Sequence, residues 1–185
     1  RFQSDNPKLR ARDAAEALGI PEARLVAAAV GQGATRIAAH PDRLIPAAEK
    51  LGEVMALTRV AACVHEKIGE YGDYHPGAHA AMTLTEDIDL RIFPSHWCHA
   101  FAVEIETDEG PRRSFQIFDA AGDAVHKIHL RPGSRHSAWA ELVAELALED
   151  QSPRQHLLPR APVEGPKSRP DKRDVLCAEW AKLTD

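Results

Sequence analysis

The sequence has no excess of basic residues. Its 185 residues include 23 Lys and Arg against 28 Asp and Glu, a net charge of −5. Proteins that bind the phosphate backbone usually carry a basic face, so nucleic acid is not an expected partner. No apolar run approaches the ~18 residues of a membrane span, and no charged-then-apolar signal opens the chain. We expect a soluble, cytoplasmic protein without membrane insertion.

Cysteine and the common catalytic motifs are also scarce. The three cysteines, Cys63, Cys98 and Cys177, are an odd number without a CxxC pair, so they do not form a disulfide framework. The chain contains no GxGxxG, no phosphate-binding loop and no GxSxG. Nucleotide-dependent enzymes and serine hydrolases therefore have no support in the sequence.

The hydrophobic pattern predicts an α+β fold. Short helices are expected from Asn6 and Pro7 to Gly19, over 21–31 and over 41–51. From residue 54 the period changes to two, and strands are predicted over 55–66, 79–84, 88–93, 98–106, 112–118 and 124–130. Short turns join the last three strands. The result is a large antiparallel β-sheet meander with N-terminal short helices and, from residue 137, a C-terminal helix packed on it.

The first two helices also resemble a helix-turn-helix. Its second helix would read DNA, but it offers only Glu22 and Arg24 before an alanine run over 27–29. Base reading needs longer polar side chains, so DNA binding is the weaker interpretation.

Residues 149–173 differ from the rest of the chain in composition. They are rich in charge and hold five of the thirteen prolines, Pro153, Pro159, Pro162, Pro166 and Pro170. This composition predicts a linker, extended or disordered, after a domain over 1–148. Leu176, Trp180 and Leu183 then recur at helical spacing, so 174–185 is expected to be the first helix of a second domain missing from this chain, which begins without Met.

Histidine is abundant, with ten residues, eight of them between His65 and His136. The close pairs 75/79, 96/99 and 126/129 lack the spacing of a metal site: residues 126 and 129, for example, point to opposite faces of a predicted strand. Structural or surface roles are therefore the favoured interpretation for all three pairs.

Two strand positions are better candidates for function. In the segment 88–93 the alternation places Asp89, Arg91 and Phe93 on one face, so Arg91 projects from a sheet beside an aromatic ring. His65 ends a strand of small residues, which leaves open volume before its imidazole. The alternatives remain open: Arg91 forms an ion pair with Asp89, and His65 is a polar residue at a strand end.

Five segments together resemble the haemin-degrading, or haemin-transport, proteins of Gram-negative bacteria, the HemS-like family. They are Asn-Pro-Lys…Ala-Arg-Asp-Ala-Ala at 6–15, Ala-Cys-Val-His-Glu-Lys at 62–67, Asp-Leu-Arg-Ile-Phe at 89–93, Arg-Ser-Phe-Gln-Ile-Phe-Asp-Ala-Ala-Gly-Asp-Ala at 113–124 and Glu-Trp-Ala-Lys-Leu-Thr-Asp at 179–185. The family has two similar halves joined by a linker. The resemblance implies that this chain is the N-terminal half, the linker and the first helix of the second half.

The resemblance also implies haem (iron protoporphyrin IX) as the cofactor. Arg91 matches an arginine that covers one side of the haem, whereas the family's axial histidine would fall just beyond residue 185. His65 matches a first-half histidine that looks able to ligate haem iron in its own half. Lys67, Tyr71 and Tyr74 are expected to line the same region.

Three functions follow from the resemblance. The first is a cytoplasmic haem-binding and trafficking protein, which receives imported haem and delivers it for storage or degradation. The second is a haem-degrading oxygenase-type enzyme that needs an external electron donor. The third is a structural or dimerising half without a haem site of its own. A haem oxygenase, an inner-membrane haem importer and a second copy, paired through the sheet, are the expected macromolecular partners.

Overall fold

The computed structural model describes residues 6, 9–60, 63–160, 162, 165 and 167–183. The helices in these ranges are α1 (Ala11–Ala17), α2 (Glu22–Ala27), α3 (Pro41–Glu49), α4 (Trp139–Leu146) and α5 (Arg173–Trp180). The strands are β1 (Ala34–Ile37), β2 (Val54–Val60), β3 (Cys63–Gly69), β4 (Tyr74–His75), β5 (Ala81–Leu84), β6 (Asp89–Ile92), β7 (His99–Ile105), β8 (Arg112–Phe118) and β9 (Ala124–Leu130). None of the helices in the described ranges is long and apolar enough to cross a membrane.

The described strands form two antiparallel sheets. The large sheet has the order β1-β7-β8-β9-β2-β3, and the small sheet has the order β4-β5-β6. The predicted meander is confirmed as β7-β8-β9, and the predicted ranges 112–118 and 124–130 match β8 and β9 residue for residue. The hairpin β2-β3 extends the large sheet beyond β9, so β3 is its outermost strand on that side.

The large sheet has an apolar core on each of its faces. We call the face that carries Thr58, Ile117 and Ile128 the inner face, and it packs on α3, α4 and the small sheet. The Phe115 ring, for example, stacks on Trp139 of α4 at 4.9 Å between centroids. The α+β expectation, with the C-terminal helix packed on the sheet, is confirmed.

The opposite, outer face holds a smaller core under α2. Ala23 and Ala27 of α2 pack against Phe101 and Phe118 of the sheet. Beside them, the Lys127 ammonium of β9 forms a buried ion pair with Glu22 at the start of α2. A buried pair of this kind fixes the position of α2 because either charge alone would be left without water or a partner.

The prediction of a single strand over 55–66 is wrong. β2 ends at Val60, β3 begins at Cys63, and these two residues pair with each other, so the chain reverses direction between them. Ala61 and Ala62 lie outside the described residues. The reversal was not visible in the sequence because no Gly, Pro, Asn or Asp marks it.

The N-terminal predictions need smaller corrections. The predicted start at Pro7 lies outside the described residues, and α1 begins at Ala11. Gly19, where the helix was predicted to stop, adopts a φ of 63°, a left-handed conformation that glycine adopts without strain. The helix predicted over 21–31 is only six residues long, and the short strand β1 follows it unpredicted.

The first part of the predicted linker is extended but firmly attached. Over 149–160 the chain has no helix or strand, yet Arg36 Nε donates to the Ser152 carbonyl at 2.7 Å. Leu157 packs against the outer-face core, and Arg160 forms a two-point ion pair with Asp123. A helix does follow, as predicted, in α5, and all of its residues are exposed.

Candidate functional site

His65 lies in the outermost strand of the large sheet. It is the third residue of β3, so the prediction that His65 ends a strand is wrong. Its strand is instead at the edge of the sheet. Its register partner is Thr58 of β2, which places both side chains on the inner-face side. His65 is exposed, and within the described ranges its imidazole has no hydrogen-bond or ion-pair partner.

Lys67 connects this strand to the small sheet. It lies two residues after His65, on the same side of β3, and its ammonium is 3.0 Å from the carboxylate of Asp87. Asp87 belongs to the turn between β5 and β6. This turn packs so closely on Gly69 that a Cβ atom added at Gly69 would lie only 2.5 Å from the Cβ of Asp87. Strand β3 is therefore in direct contact with the turn that precedes β6.

Arg91 lies in β6 and faces solvent. The predicted alternation is confirmed, since Ile88 and Ile92 are buried whereas Asp89, Arg91 and Phe93 are exposed. No ion pair joins Arg91 to Asp89 or to any other described residue. The alternative of a local ion pair is thus not realised, and the guanidinium is free to receive an anion.

The two tyrosines are less exposed than His65, Lys67 and Arg91. Tyr71 is only 2 % exposed, and its hydroxyl is 2.6 Å from Nε2 of His126. The Tyr74 hydroxyl donates to Asp42 Oδ1 at 2.6 Å. Burial raises the pKa of Tyr71, and burial followed by the contact with Asp42 raises that of Tyr74. Of the predicted site residues, His65, Lys67 and Arg91 are exposed, whereas Tyr71 is part of the core.

His126, one of the histidines for which the sequence favours a structural role, is buried. His126 lies on the inner face, next to Thr58 in register, and Nδ1 is 2.8 Å from the Thr58 hydroxyl. Burial lowers the pKa of His126 to about 3, with a further contribution from His129. Burial, followed by the charge of Lys127, lowers the pKa of His129 to about 4. In the sequence, the only indication of the buried position of His126 is that residues 126 and 129 point to opposite faces of a predicted strand.

A groove of about 1240 Å³ lies between α1, α2 and the segment 157–160. Val60 of β2 lines this groove, whereas His65, Lys67 and Arg91 do not. His65 and Arg91 are exposed side chains without partners in the described residues, one on each sheet, and each has an exposed apolar side chain in its own hairpin or directly after its own strand: Val60 is 64 % exposed and Phe93 51 %. An imidazole, a guanidinium and exposed apolar side chains are the groups that a flat apolar ligand with a metal centre and acidic groups would use.

The fold defines a class of α+β domain in which helices pack on both faces of a large antiparallel sheet. The family model for the haemin-degrading HemS.ChuX domain matches residues 19–146. The chain belongs to this family.

Individual relatives agree with this assignment. The chain is 36 % identical over 184 residues to the hemin transport protein HmuS of Yersinia pestis, covering 99 % of this chain and 53 % of HmuS. The crystal structure of holo-PhuS, a heme-binding protein from Pseudomonas aeruginosa, superposes with a TM-score of 0.82 at 40 % identity, over 99 % of this chain and 54 % of PhuS. The Escherichia coli O157:H7 heme degrading enzyme ChuS gives a TM-score of 0.77 at 30 % identity, over 99 % and 53 %. The chain spans about half the length of these relatives.

Proposed function

We propose that this chain binds haem on the surface of His65, Lys67 and Arg91 and acts as a cytoplasmic carrier, which receives imported haem and delivers it for storage or degradation. The observation that carries the proposal is that the imidazole of His65 and the guanidinium of Arg91 are both exposed and have no partner in the described ranges. The contact between Lys67 and Asp87 joins β3, which carries His65, to the turn that precedes β6, which carries Arg91.

Each residue has a distinct role in this proposal. A neutral imidazole is an ordinary ligand of haem iron, so His65 would bind the metal. Arg91 would pair with a propionate, since a guanidinium binds carboxylates through two parallel hydrogen bonds. Lys67 is about half exposed, and an exposed ion pair is weak enough to be exchanged for a propionate. No group of three or more potential metal ligands occurs in the described residues, and a porphyrin, which brings its own nitrogen ligands, needs only one from the protein.

Tyr71 and Tyr74 take an indirect role in the proposal. Both hydroxyls are engaged with other side chains, His126 and Asp42. Tyr71 would support the strands beneath the haem surface, and Tyr74 would hold the small sheet against α3. Direct contact of Tyr71 with haem would require its side chain to leave the core.

The names of the relatives support a haem-related role. PhuS is described as a heme-binding protein and HmuS as a hemin transport protein. A haem importer would supply the ligand, and a haem oxygenase would receive it. Haem bound through a single exposed histidine suits such transfer, because an open site allows the ligand to leave.

A second candidate function is haem degradation. The similarity to ChuS, described as a heme degrading enzyme, favours it. Arg91 would then hydrogen-bond a distal water or an oxygen ligand, and electrons would come from an external donor, since the sequence has no flavin or nicotinamide motif. A third candidate, a structural half that dimerises, is favoured by the exposed edge of β3, where a second copy could extend the sheet.

A haemin titration followed by absorbance tests the proposal. The wild-type chain should give a saturable Soret shift, and His65→Ala should weaken binding by more than about tenfold, which is 1.4 kcal/mol. Arg91→Ala should weaken it less. His40→Ala is the matched control, because His40 is exposed at the start of α3 and should leave binding unchanged.

The haem-loaded samples from this titration also distinguish the carrier, the degrading enzyme and the structural role. A Soret band that is stable with reductant and oxygen supports the carrier, whereas loss of the band with release of iron supports degradation. A weak shift that is indifferent to His65→Ala and Arg91→Ala would contradict both and leave the structural role.

A further inference from the structure

Beneath the inner face, Tyr71, His126 and Thr58 form a continuous hydrogen-bonded chain. The Tyr71 hydroxyl is 2.6 Å from Nε2 of His126, and Nδ1 of the same ring is 2.8 Å from the Thr58 hydroxyl. The Trp97 ring stacks on the imidazole at 5.6 Å between centroids, with 19° between the planes. Tyr71 and His126 are each 2 % exposed, and Thr58 is half-buried.

The direction of the hydrogen bonds follows from what each hydroxyl can reach. If His126 donated from Nε2, the buried Tyr71 O–H would have no acceptor, because the imidazole is its only hydrogen-bond partner among the described residues. If Tyr71 donates to Nε2, His126 donates from Nδ1 to Thr58, and the Thr58 O–H can turn toward its half-exposed side. The second arrangement leaves no buried group unsatisfied, so Tyr71 is the donor.

His126 is therefore a neutral base hydrogen-bonded to a phenol in a dry site. Removing an electron from a phenol makes its proton strongly acidic, so the proton moves at once to a base within hydrogen-bond distance. The imidazolium formed would still donate to Thr58 from Nδ1 and would lie against the face of Trp97, which attracts a cation. In the strand register Thr58 lies between His126 and the exposed His65, at the less buried end of the hydrogen-bonded chain.

We propose that Tyr71 and His126 form a redox site in which Tyr71 gives one electron to a strong one-electron oxidant, such as a peroxide-derived radical. In this step the Tyr71 O–H bond breaks, its proton forms a new N–H bond at Nε2 of His126, and the electron reduces the oxidant. The products are a neutral tyrosyl radical, an imidazolium and the reduced oxidant. The step needs no bound haem, so it stands independently of the function proposed above.

The chain contains its own control. Its two tyrosines, Tyr71 and Tyr74, differ in the partner of the hydroxyl: Tyr71 donates to a buried imidazole, whereas Tyr74 donates to the carboxylate of Asp42 on the surface. Both acceptors are bases within hydrogen-bond distance, but the Tyr71 ring is buried whereas the Tyr74 hydroxyl bonds Asp42 at the surface, where reductants reach a radical. The radical that persists until the sample is frozen is therefore expected on Tyr71 and not on Tyr74.

The experiment oxidises the chain, without haem, with photogenerated tris(bipyridine)ruthenium(III) and detects radicals by freeze-quench electron paramagnetic resonance. The tyrosyl signal should disappear in Tyr71→Phe and remain in Tyr74→Phe. In His126→Gln, which keeps a hydrogen-bond acceptor but cannot take the proton, radical formation should slow by about 100-fold, the lower range for a positioned base.

A further measurement uses the wild-type chain alone, in case a variant does not fold. With ¹⁵N-labelled histidine, electron-nuclear double resonance should detect a histidine nitrogen coupled to the radical. A radical on Tyr74, a signal that persists in Tyr71→Phe, or the absence of nitrogen coupling would overturn the proposal.

Discussion

Strands β3 and β9 belong to the same sheet and each carries a histidine with a lysine close behind, yet the two pairs have opposite environments. In the edge strand β3, His65 is exposed without a partner and Lys67 meets Asp87 in solvent. In the interior strand β9, both nitrogens of His126 are hydrogen-bonded, and Lys127 is buried against Glu22 of α2.

The difference shows that the cover over a strand, rather than residue type, decides what these side chains can do. Every residue of β3 before Gly69 is exposed, so its imidazole and ammonium are accessible to a ligand, whereas β1, at the opposite edge of the sheet, is mostly buried. An interior strand is covered on both faces, so the same groups must be satisfied within the protein and contribute to stability. The comparison separates residues that bind from residues that hold the sheet together.

The largest effect should come from the two lysines. Lys127→Ala leaves Glu22 as an unpaired buried charge, and the free energy of unfolding should fall by about 3–5 kcal/mol. Lys67→Ala removes an exposed ion pair and should cost less than about 1 kcal/mol. Urea denaturation of the two variants measures both values. Equal losses of unfolding free energy in the two variants would contradict the distinction between the exposed strand β3 and the interior strand β9.

Acid should lower the free energy of unfolding through the buried histidines of β9. The native pKa of His126, about 3, lies below its ordinary value of 6.5, so the unfolded chain binds more protons between these values. The stability contributed by neutral His126 is full above pH 6.5 and falls as the pH drops, by up to about 1.4 kcal/mol per pH unit. His129 acts in the same direction between about 4 and 6.5. Urea denaturation from pH 7 to 4 should give a shallower pH slope for His126→Asn than for wild type; identical slopes would contradict the account.

The two tyrosines should differ by a smaller amount. Tyr71→Phe leaves the buried Nε2 of His126 without a donor and should cost about 1–3 kcal/mol, whereas Tyr74→Phe loses a hydrogen bond at the surface and should cost less than about 1 kcal/mol. Thermal unfolding of the two variants under the same buffer conditions compares them directly. A larger loss for Tyr74→Phe would show that the hydroxyl of Tyr71 is not an essential part of the core.

The smallest effect on stability is expected at the proposed iron ligand. His65→Ala removes an exposed side chain without partners and should change the free energy of unfolding by no more than about 0.5 kcal/mol. The variant should therefore lose haem affinity while keeping its urea midpoint. A fall in both would mean that His65 supports the fold rather than the ligand.

Local patterns predicted much of the fold. The turns after β7 and β8 and the period-two alternation specified the meander and the exposed position of Arg91, because each depends on neighbours a few residues away. The hairpin of β2 and β3 was missed since no turn residue marks it, and the four-residue strand β1 was not predicted.

Long-range contacts account for what the sequence did not predict. The partner of Tyr71 is 55 residues away in His126, so nothing near Tyr71 indicated that its hydroxyl would be buried. The segment 149–160 has the composition of a free linker, but it is attached through Arg36, more than 100 residues earlier. Such pairings appear only when the topology is known.

The most direct test of the comparison between the two strands is a nuclear magnetic resonance titration of the chain with ¹³C-labelled histidine ring carbons. As haemin is added, the paramagnetic iron should broaden the assigned His65 signal first and most strongly, and the His126 signal, two strands away, to a smaller extent. If His65 is unaffected at one equivalent of haemin while another histidine broadens, the edge of β3 is not the haem-binding surface.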